Sequence, residues 1–484
     1  MRIDRLALAE SKVPRYTSYP TAAQFSPSVG AAELTGWLGS QDPKLLASLY
    51  VHVPFCRKLC LYCGCNTSIT SRAAPVARFL DALAREIDIV AALLPGRLSL
   101  AHLHLGGGTP SILEAGQFAT LMARLRARFD LAPGAEIAIE ADPRGLDAAR
   151  IAAFAAEGVT RVSLGVQDLD PDVQRAIDRL QPLEMVAAAT AALRAAGLGR
   201  IAMDLVYGLP RQTVATIERT VGAVAALAPD RVALFGYAHV PWIKPHQRLL
   251  EPAGLPGAAE RLELCDAATR SLRAAGYVAV GIDHFARPED PLALAARQGA
   301  LGRNFQGYTT DSAGCLIGLG PSAISSFAQG IAQNATRSDD WATAIAAGMP
   351  ATCRGVRRDD GDRRRGRIIE RLMCDFAVDL AADIAADPSL AAILDGLGDL
   401  AACGLVRRDG SRLAIPADAH GVASRRCGAI RRLSRACRHA SRHGGVTHGS
   451  GRAQPPGRPA ASKPRLISKK TNSTAKTKTP RPKP

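Results

Sequence analysis

The chain has 484 residues, of which 47% are hydrophobic, 22% charged and 5% aromatic. This is enough apolar material for two or three domains, and it excludes a small disulfide-stapled scaffold, a collagen-like repeat and a wholly disordered protein. No apolar run approaches the ~18 to 20 residues of a membrane span, so no span is predicted. Asp4 stands where a signal peptide would begin its apolar stretch, and the predicted compartment is therefore the cytoplasm.

The net charge of +17 comes from the C-terminal tail. From Gly421 onwards the tail holds 17 of the 61 Lys and Arg residues and no Asp or Glu, so the first 420 residues balance 44 basic with 44 acidic side chains. A basic tail rich in Pro, Ser and Thr is predicted to be disordered. Because the tail has no aromatic side chain to stack on bases, we predict no specific nucleic-acid partner.

Short β-branched or apolar runs alternate with helical patterns along most of the chain. Repeating strand–helix units predict a parallel sheet. The presence of six such units only weakly favours an open (β/α) barrel over a doubly wound sheet. The predicted strands are 48–53, 100–105, 136–140, 161–166, 200–206 and 231–237, and the predicted helices are 76–94, 115–129, 147–157, 183–197 and 215–227.

Polar or glycine-rich residues lie at the ends of the predicted strands. Because the carboxyl ends of parallel strands meet at one edge of a sheet, we expect functional residues to gather there. The strands run in turn into Cys56, the glycines 106–108, Glu140 and Gln167, and the fifth strand carries Asp204.

Three cysteines directly after the first predicted strand form a CxxxCxxC motif: Cys56, Cys60 and Cys63. The chain has 11 cysteines, an odd number, and four of them crowd between 56 and 65, which paired disulfides explain poorly. Three thiolates on one loop can hold three irons of a four-iron cluster and leave the fourth iron open to a ligand. Zinc is the alternative, but zinc sites usually combine two CxxC pairs, and no second pair occurs.

This cysteine spacing resembles that of the radical S-adenosylmethionine (SAM) enzymes. The resemblance implies a [4Fe-4S] cluster that binds SAM and a 5′-deoxyadenosyl radical that abstracts hydrogen. It also implies an α/β fold: a partial (β/α)6 TIM-like radical SAM barrel, with an N-terminal arm and a smaller, mainly helical C-terminal domain. The predicted boundaries are 1–45 for the arm or substrate lid, 46–290 for the barrel, 291–418 for the second domain and 419–484 for the tail.

Longer strings narrow the resemblance to the oxygen-independent coproporphyrinogen III oxidase family. Cys65 extends the cysteine motif to CxxxCxxCxC, and PRYTSYPT at 14–21, GVQD at 165–168, DHFARP at 283–288 and RNFQGYT at 303–309 also match. The match covers residues 10–415. The resemblance implies oxidative decarboxylation of two propionates of coproporphyrinogen III to vinyl groups, giving protoporphyrinogen IX in heme synthesis, with two bound SAM molecules.

The resemblance also implies the roles of individual residues. Cys65 and His284 are catalytic candidates without an assigned role, since Cys65 is expected near the second SAM or the substrate and His284 could be structural. Without the family, Glu140 and Asp204 could be ordinary strand-end caps. Cys56, Cys60 and Cys63 match the cluster ligands; Tyr50, Gly107, Glu140 and Ile324 match positions around the first SAM; Tyr62, Gly108, Thr109, Gln167, Arg179, Asp204 and Ala238 match those around the second.

The partners follow from the same resemblance: coproporphyrinogen III as substrate, a reductant such as flavodoxin or ferredoxin, and a monomeric state. The alternative is a related heme chaperone, which binds heme rather than decarboxylating. That relative has Phe in place of Cys65 and lacks the string at 14–21, so the oxidase is favoured.

The tail departs from the family, which normally ends in an apolar helix with a Phe-Asp-x-Tyr-Leu-like string. One permitted codon spelling of residues 421–435, read one base later, gives an apolar helical stretch with such an ending. We therefore hypothesise a frameshift near codon 420, which would make the basic charge accidental.

Overall fold

The computed structural model describes residues 19–416, apart from the side chains of Ile393 and Asp399. The predictions for the arm before residue 19 and for the tail from 419 onwards lie outside the described residues. Within that part of the chain, no helix is long and apolar enough to cross a membrane.

Strands and helices alternate through the first two thirds of the described residues. The strands are β1 (Leu46–Val53), β2 (Phe55–Cys56), β3 (Ser68–Ile69), β4 (Ser99–Gly107), β5 (Asp130–Ala141), β6 (Arg161–Gln167), β7 (Arg200–Tyr207), β8 (Arg231–Gly236), β9 (Val278–Val280), β10 (His284–Ala286), β11 (Gly302–Arg303), β12 (Tyr308–Thr309), β13 (Cys315–Leu319), β14 (Ile324–Phe327), β15 (Gly330–Asn334), β16 (Thr352–Arg357), β17 (Ala377–Asp379), β18 (Arg407–Asp409) and β19 (Arg412–Ala414). The α-helices are α1 (Ala31–Gly39), α2 (Ala73–Leu93), α3 (Ala115–Arg128), α4 (Ala148–Ala156), α5 (Pro171–Ala176), α6 (Leu183–Ala195), α7 (Val214–Ala226), α8 (Ala258–Ala274), α9 (Pro291–Arg297), α10 (Ser338–Ala346), α11 (Asp360–Cys374), α12 (Ala381–Ala386), α13 (Ser389–Asp395) and α14 (Gly398–Ala402).

A 12-stranded sheet has the order β16-β15-β14-β13-β1-β4-β5-β6-β7-β8-β10-β9. The strands from β1 to β8 in this order pair in parallel, and helices follow them, so the six predicted strands and the helices between them are confirmed. Strand β5 begins at Asp130, earlier than predicted, because Pro133 and Gly134 lie in an irregularity of its pairing with β4 and do not end the strand.

Strands β13 to β16 extend the sheet beyond β1, and the sequence did not predict them. Every residue of β13 and β15 is buried, so neither strand shows the alternation of apolar and polar residues that identifies a half-exposed strand. Strand β13 pairs in parallel with β1, whereas β14, β15 and β16 pair antiparallel with their neighbours.

A buried carboxylate connects the strands added beyond β1 to helix α2 of the barrel. Glu86 on α2 accepts hydrogen bonds from Trp341 Nε1 at 3.0 Å, Asn334 Nδ2 at 2.7 Å and the Gly320 backbone N–H at 2.6 Å. Burial raises the pKa of Glu86 to about 7. These three donors offset the cost of burying the acid, and they join α2 to α10, β15 and the turn after β13.

Candidate active site

The three motif cysteines lie on one loop that leaves the carboxyl end of β1. Cys56 ends the short strand β2, which pairs with β3, and the hydroxyl of Thr67 donates to its sulfur at 3.4 Å. The Cys63 backbone N–H donates to the Cys60 carbonyl at 3.0 Å, which closes a turn between these two cysteines. The structure therefore presents the three thiols from one short segment.

The cysteine loop is held by a segment much later in the chain. Lys244 Nζ donates to the Cys65 carbonyl at 2.7 Å, and His246 Nε2 donates to the Cys63 carbonyl at 2.9 Å. Gln247 Nε2 donates to a third carbonyl of the loop, that of Tyr62, at 2.9 Å. Sequence reasoning missed this segment, because no motif marks it and only the fold brings it to the loop.

Positive charge surrounds the cysteine sulfurs. Arg179 Nη1 lies 3.3 Å and Arg144 Nη2 lies 3.6 Å from Cys60 Sγ. A hydrogen bond from Cys65 lowers the pKa of Cys63 to about 6, and the nearby Lys244 and His246 act in the same direction. Burial raises the pKa of Cys56 to about 11. The nearby Lys244 and His246 favour thiolate at Cys63, which is the form that binds metal.

This donor set fits a four-iron cluster. Among residues 19–416, no three His, Cys, Asp or Glu side chains are arranged to hold one metal ion. That finding does not bear against a cluster, because each of its thiolates binds a different iron and the sulfurs need not meet at one point.

Glu140 organises the polar residues at the ends of the neighbouring strands. Its Oε1 lies 3.1 Å from His104 Nε2, and its Oε2 accepts the Gly107 N–H at 3.1 Å. The Tyr50 ring packs 5.7 Å from that of His104. Burial raises the pKa of Glu140, but the hydrogen bonds from His104 and Gly107 outweigh it, so the pKa lies below its ordinary value. Glu140 is therefore an ionised acceptor.

Close contacts within the protein require the glycines 107 and 108 at the end of β4. A Cβ at Gly107, whose φ is +115°, would lie 2.7 Å from the His52 ring. At Gly108 it would lie 2.5 Å from the Phe55 carbonyl oxygen. Thr109 is buried, and its Oγ1 lies 3.0 Å from Ser111 Oγ. These glycines therefore let β4 pack directly against β1 and the cysteine loop.

Asp204 differs from Glu140 in its protonation. Burial, and then the charge of Glu140, raise the pKa of Asp204 to about 7, and its Oδ2 accepts a hydrogen bond from Ser163 Oγ at 3.3 Å. A barrel cavity of about 200 Å³ is lined by both carboxylates and by His284, whose Nδ1 lies 2.8 Å from Asp283 Oδ1. Paired acids with unequal pKa values are typical of functional sites.

Comparison with known proteins decides the family. Residues 50–224 match the Radical SAM superfamily. The chain is 46% identical over 423 residues to the oxygen-independent coproporphyrinogen III oxidase of Bradyrhizobium diazoefficiens, a match that covers 86% of this chain and 94% of the relative. The chain belongs to the oxygen-independent coproporphyrinogen III oxidase family. The Escherichia coli member of this oxidase family is 41% identical over 368 residues, covering 76% of this chain and 80% of the relative.

A solved structure of an oxidase of this family supports the same conclusion. Coproporphyrinogen III oxidase (HemN) from Escherichia coli, described as a radical SAM enzyme, matches with a TM-score of 0.82 and 37% identity over 90% of this chain and 99% of that chain. The predicted family, fold class and enzyme class are confirmed, and so are the [4Fe-4S] cluster and SAM as cofactors of the family. The heme chaperone alternative has no support from these comparisons.

The other predicted site residues of this oxidase family member lie on the same strand ends or next to them. Arg179 Nη2 donates to the Gly165 carbonyl at 2.5 Å, and Gln167 has the unusual φ of 69° where β6 ends. Ala238 is exposed after β8, and Ile324 is half-buried at the start of β14. The ligand roles of these residues stay predictions.

Proposed function

We propose that this chain oxidatively decarboxylates two propionates of coproporphyrinogen III to vinyl groups, giving protoporphyrinogen IX in heme synthesis. The observation that carries the proposal is the cysteine loop at the same sheet edge as Glu140 and Asp204, in a chain of this oxidase family. The cluster and SAM, when bound, supply a 5′-deoxyadenosyl radical that abstracts a hydrogen atom from a propionate β-carbon.

The protein's own residues hold these groups and control their charge. Cys56, Cys60 and Cys63 would bind three irons, and the guanidinium groups of Arg144 and Arg179 beside Cys60 would stabilise the negative charge of the thiolates. The hydrogen bonds that the side chains of Lys244, His246 and Gln247 donate to carbonyls of the loop would keep it in place while the substrate binds.

The remaining matched residues would position two SAM molecules. Glu140, as an ionised carboxylate, can accept hydrogen bonds from ribose hydroxyls or from an ammonium group of the first SAM. Around the second SAM, Asp204 can do the same once ionised, and Arg179 can pair with a carboxylate. Tyr50, Gly107 and Ile324 complete the first set, and Tyr62, Gly108, Thr109, Gln167 and Ala238 complete the second.

We infer further properties from the family and the sequence. The reductant is an electron carrier such as flavodoxin or ferredoxin, the protein acts as a monomer in the cytoplasm, and it has no specific nucleic-acid partner. The arm 1–45 serves as a substrate lid on the barrel 46–290, the second domain is 291–418, and the tail 419–484 is a frameshift product. Cys65 and His284 stay catalytic candidates.

An anaerobic assay tests the proposed function. Protein with a reconstituted cluster is incubated with reductant, SAM and coproporphyrinogen III, and 5′-deoxyadenosine and protoporphyrinogen are measured together. We expect both products to rise, with two decarboxylations for each protoporphyrinogen. A cluster-loaded chain that forms neither product would refute the proposal for the chain as given, and the same assay on the restored reading frame would show whether the tail is the cause.

Asp204 is expected to make the use of SAM depend on pH. Because the ionised carboxylate is the stronger acceptor and its pKa is about 7, kcat/KM for SAM should rise between pH 6 and 8, and Asp204→Asn should flatten this rise. An equally steep rise in Asp204→Asn would show that another group titrates.

The same pKa shift has a second consequence, for stability. The folded chain keeps the Asp204 proton up to about pH 7, whereas the unfolded chain releases it near 3.8, so the folded state binds more protons between these values. Stability therefore falls as the pH rises through this window. Asp204→Asn should raise the Tm by more at pH 8 than at pH 5, while the exposed control Asp339→Asn should change it little at either pH.

A further inference from the structure

A second cavity, of about 330 Å³, adjoins the barrel cavity. Asn304 lines both cavities, so the two cavities adjoin at this residue. Tyr19, which lies within the predicted arm 1–45, also lines the second cavity. Four arginines and two acids line it as well, so its charge is positive: Arg303, Arg358, Arg363 and Arg367, with Asp362 and Glu370.

Arg358 lines this cavity without a carboxylate partner among the described residues. Arg363 forms an ion pair with Asp360 and Arg367 forms one with Asp383, whereas no ion pair within residues 19–416 joins Arg358 to a carboxylate. Its Nη2 donates to Ser326 Oγ at 2.6 Å, and its Nε is buried without a hydrogen-bond partner. Burial lowers the pKa of Arg358 to about 10.

A half-buried guanidinium that has no carboxylate partner is stabilised when an anion enters its pocket. A planar guanidinium binds a carboxylate better than it binds a neutral acceptor, because two parallel charge-assisted hydrogen bonds can form. The acids that line the cavity are already engaged: Glu370 accepts the Arg303 backbone N–H at 2.9 Å, and Asp362 lies 3.4 Å from Arg365 Nη1. The pocket therefore suits an external carboxylate.

We propose that the Arg358 pocket binds a propionate of the substrate that is not decarboxylated. This inference rests on the proposed function. Coproporphyrinogen III carries four propionates and two of them react, so two carboxylates persist into the product and need partners away from the reacting carbon. The pocket adjoins the barrel cavity, and Arg303 stacks on the ring of Tyr308, which lines that cavity, at 4.3 Å from the ring centre.

Porphyrin binding tests the proposal without turnover. Two fluorescent, air-stable porphyrins are titrated into the full chain: coproporphyrin III, with four propionates, and mesoporphyrin IX, which keeps only the two that persist. Arg358→Met should weaken the binding of both by roughly 10- to 100-fold, as the loss of hydrogen bonds to a charged group implies. Arg358→Lys, which keeps the positive charge, should weaken the binding of both porphyrins by a smaller factor.

The neighbouring Arg357 provides a matched control. Its side chain is 65% exposed and pairs with Glu33, outside the pocket, so Arg357→Met should bind both porphyrins as the unchanged chain does. The affinity of the cluster-loaded protein for SAM should be the same in Arg358→Met as in the unchanged chain. A lower affinity for SAM would show that the pocket holds the SAM carboxylate and would overturn the proposal.

Three other results would overturn it. First, Arg358→Met could bind both porphyrins as the unchanged chain does. Second, Arg358→Met and Arg358→Lys could weaken binding equally, which would indicate that the side chain acts by packing and not by charge. Third, Arg358→Met could weaken the binding of coproporphyrin III alone, which would indicate that the pocket holds a reacting propionate. A chain that binds both porphyrins as expected but forms no protoporphyrinogen would refute the proposed function and leave the carboxylate pocket standing.

Discussion

Cys60→Ser is expected to remove the iron and the activity together. Cys60 is buried, and its sulfur lies between the guanidinium groups of Arg144 and Arg179. A serine hydroxyl has no sulfur and is far less acidic than a thiol, so it cannot supply the thiolate that binds iron. Iron per chain should fall well below that of the unchanged protein, and 5′-deoxyadenosine formation should fall to the level without reductant.

Two other cysteines separate loss of a ligand from general damage. Cys353→Ser changes an exposed thiol and should keep both iron and activity. Cys65→Ser should also keep the iron, because a fourth thiolate would occupy the iron that SAM needs, although its activity is expected to fall if Cys65 contacts SAM or the substrate. Full iron content in Cys60→Ser, or its loss in Cys65→Ser, would mean that the ligand set is wrong.

The parts of the fold and site that could be predicted are those that depend on residues close together in the sequence. The strands of the barrel alternate with amphipathic helices, and the CxxxCxxC spacing lies within one loop, so neither needs tertiary information. Strands β13 and β15 were missed because they are buried on both faces. The partners of the cysteine loop, Lys244 and His246, and the cavity around Arg358 depend on contacts between residues distant in sequence.

One residue was predicted for a different reason from the one the structure shows. Gly107 was predicted from the family resemblance, as a position around the first SAM. The contact that the structure shows at this position is the ring of His52, which in turn donates through Nε2 to the Asn66 carbonyl at 2.9 Å. A requirement for a small residue can be read from sequence, but the neighbour that imposes it depends on the packing of β4 against β1.

The same packing gives Gly108→Ala a large expected effect on the cysteine loop. A Cβ at Gly108 would lie 2.5 Å from the Phe55 carbonyl oxygen and 2.6 Å from Thr67 Oγ1, closer than real contacts allow. The first atom is backbone next to Cys56, and the second belongs to the hydroxyl that donates to Cys56 Sγ. The loop must therefore shift, and with it the hydrogen bond from the Thr109 N–H to the Phe55 carbonyl at 2.8 Å.

We expect Gly108→Ala to lower the free energy of unfolding by about 1 to 3 kcal/mol, as overpacking does, and to lower the iron content after reconstitution. Gly116→Ala on α3 is the matched control, because its new methyl group meets nothing within 4 Å and alanine favours the helix by roughly 0.5 to 1 kcal/mol. Thermal unfolding and iron analysis of both variants decide the matter. If Gly108→Ala has the same stability and iron content as the unchanged chain, the loop accommodates a methyl group without moving Cys56. The contact between β4 and the cysteine loop would then have no part in holding the cluster.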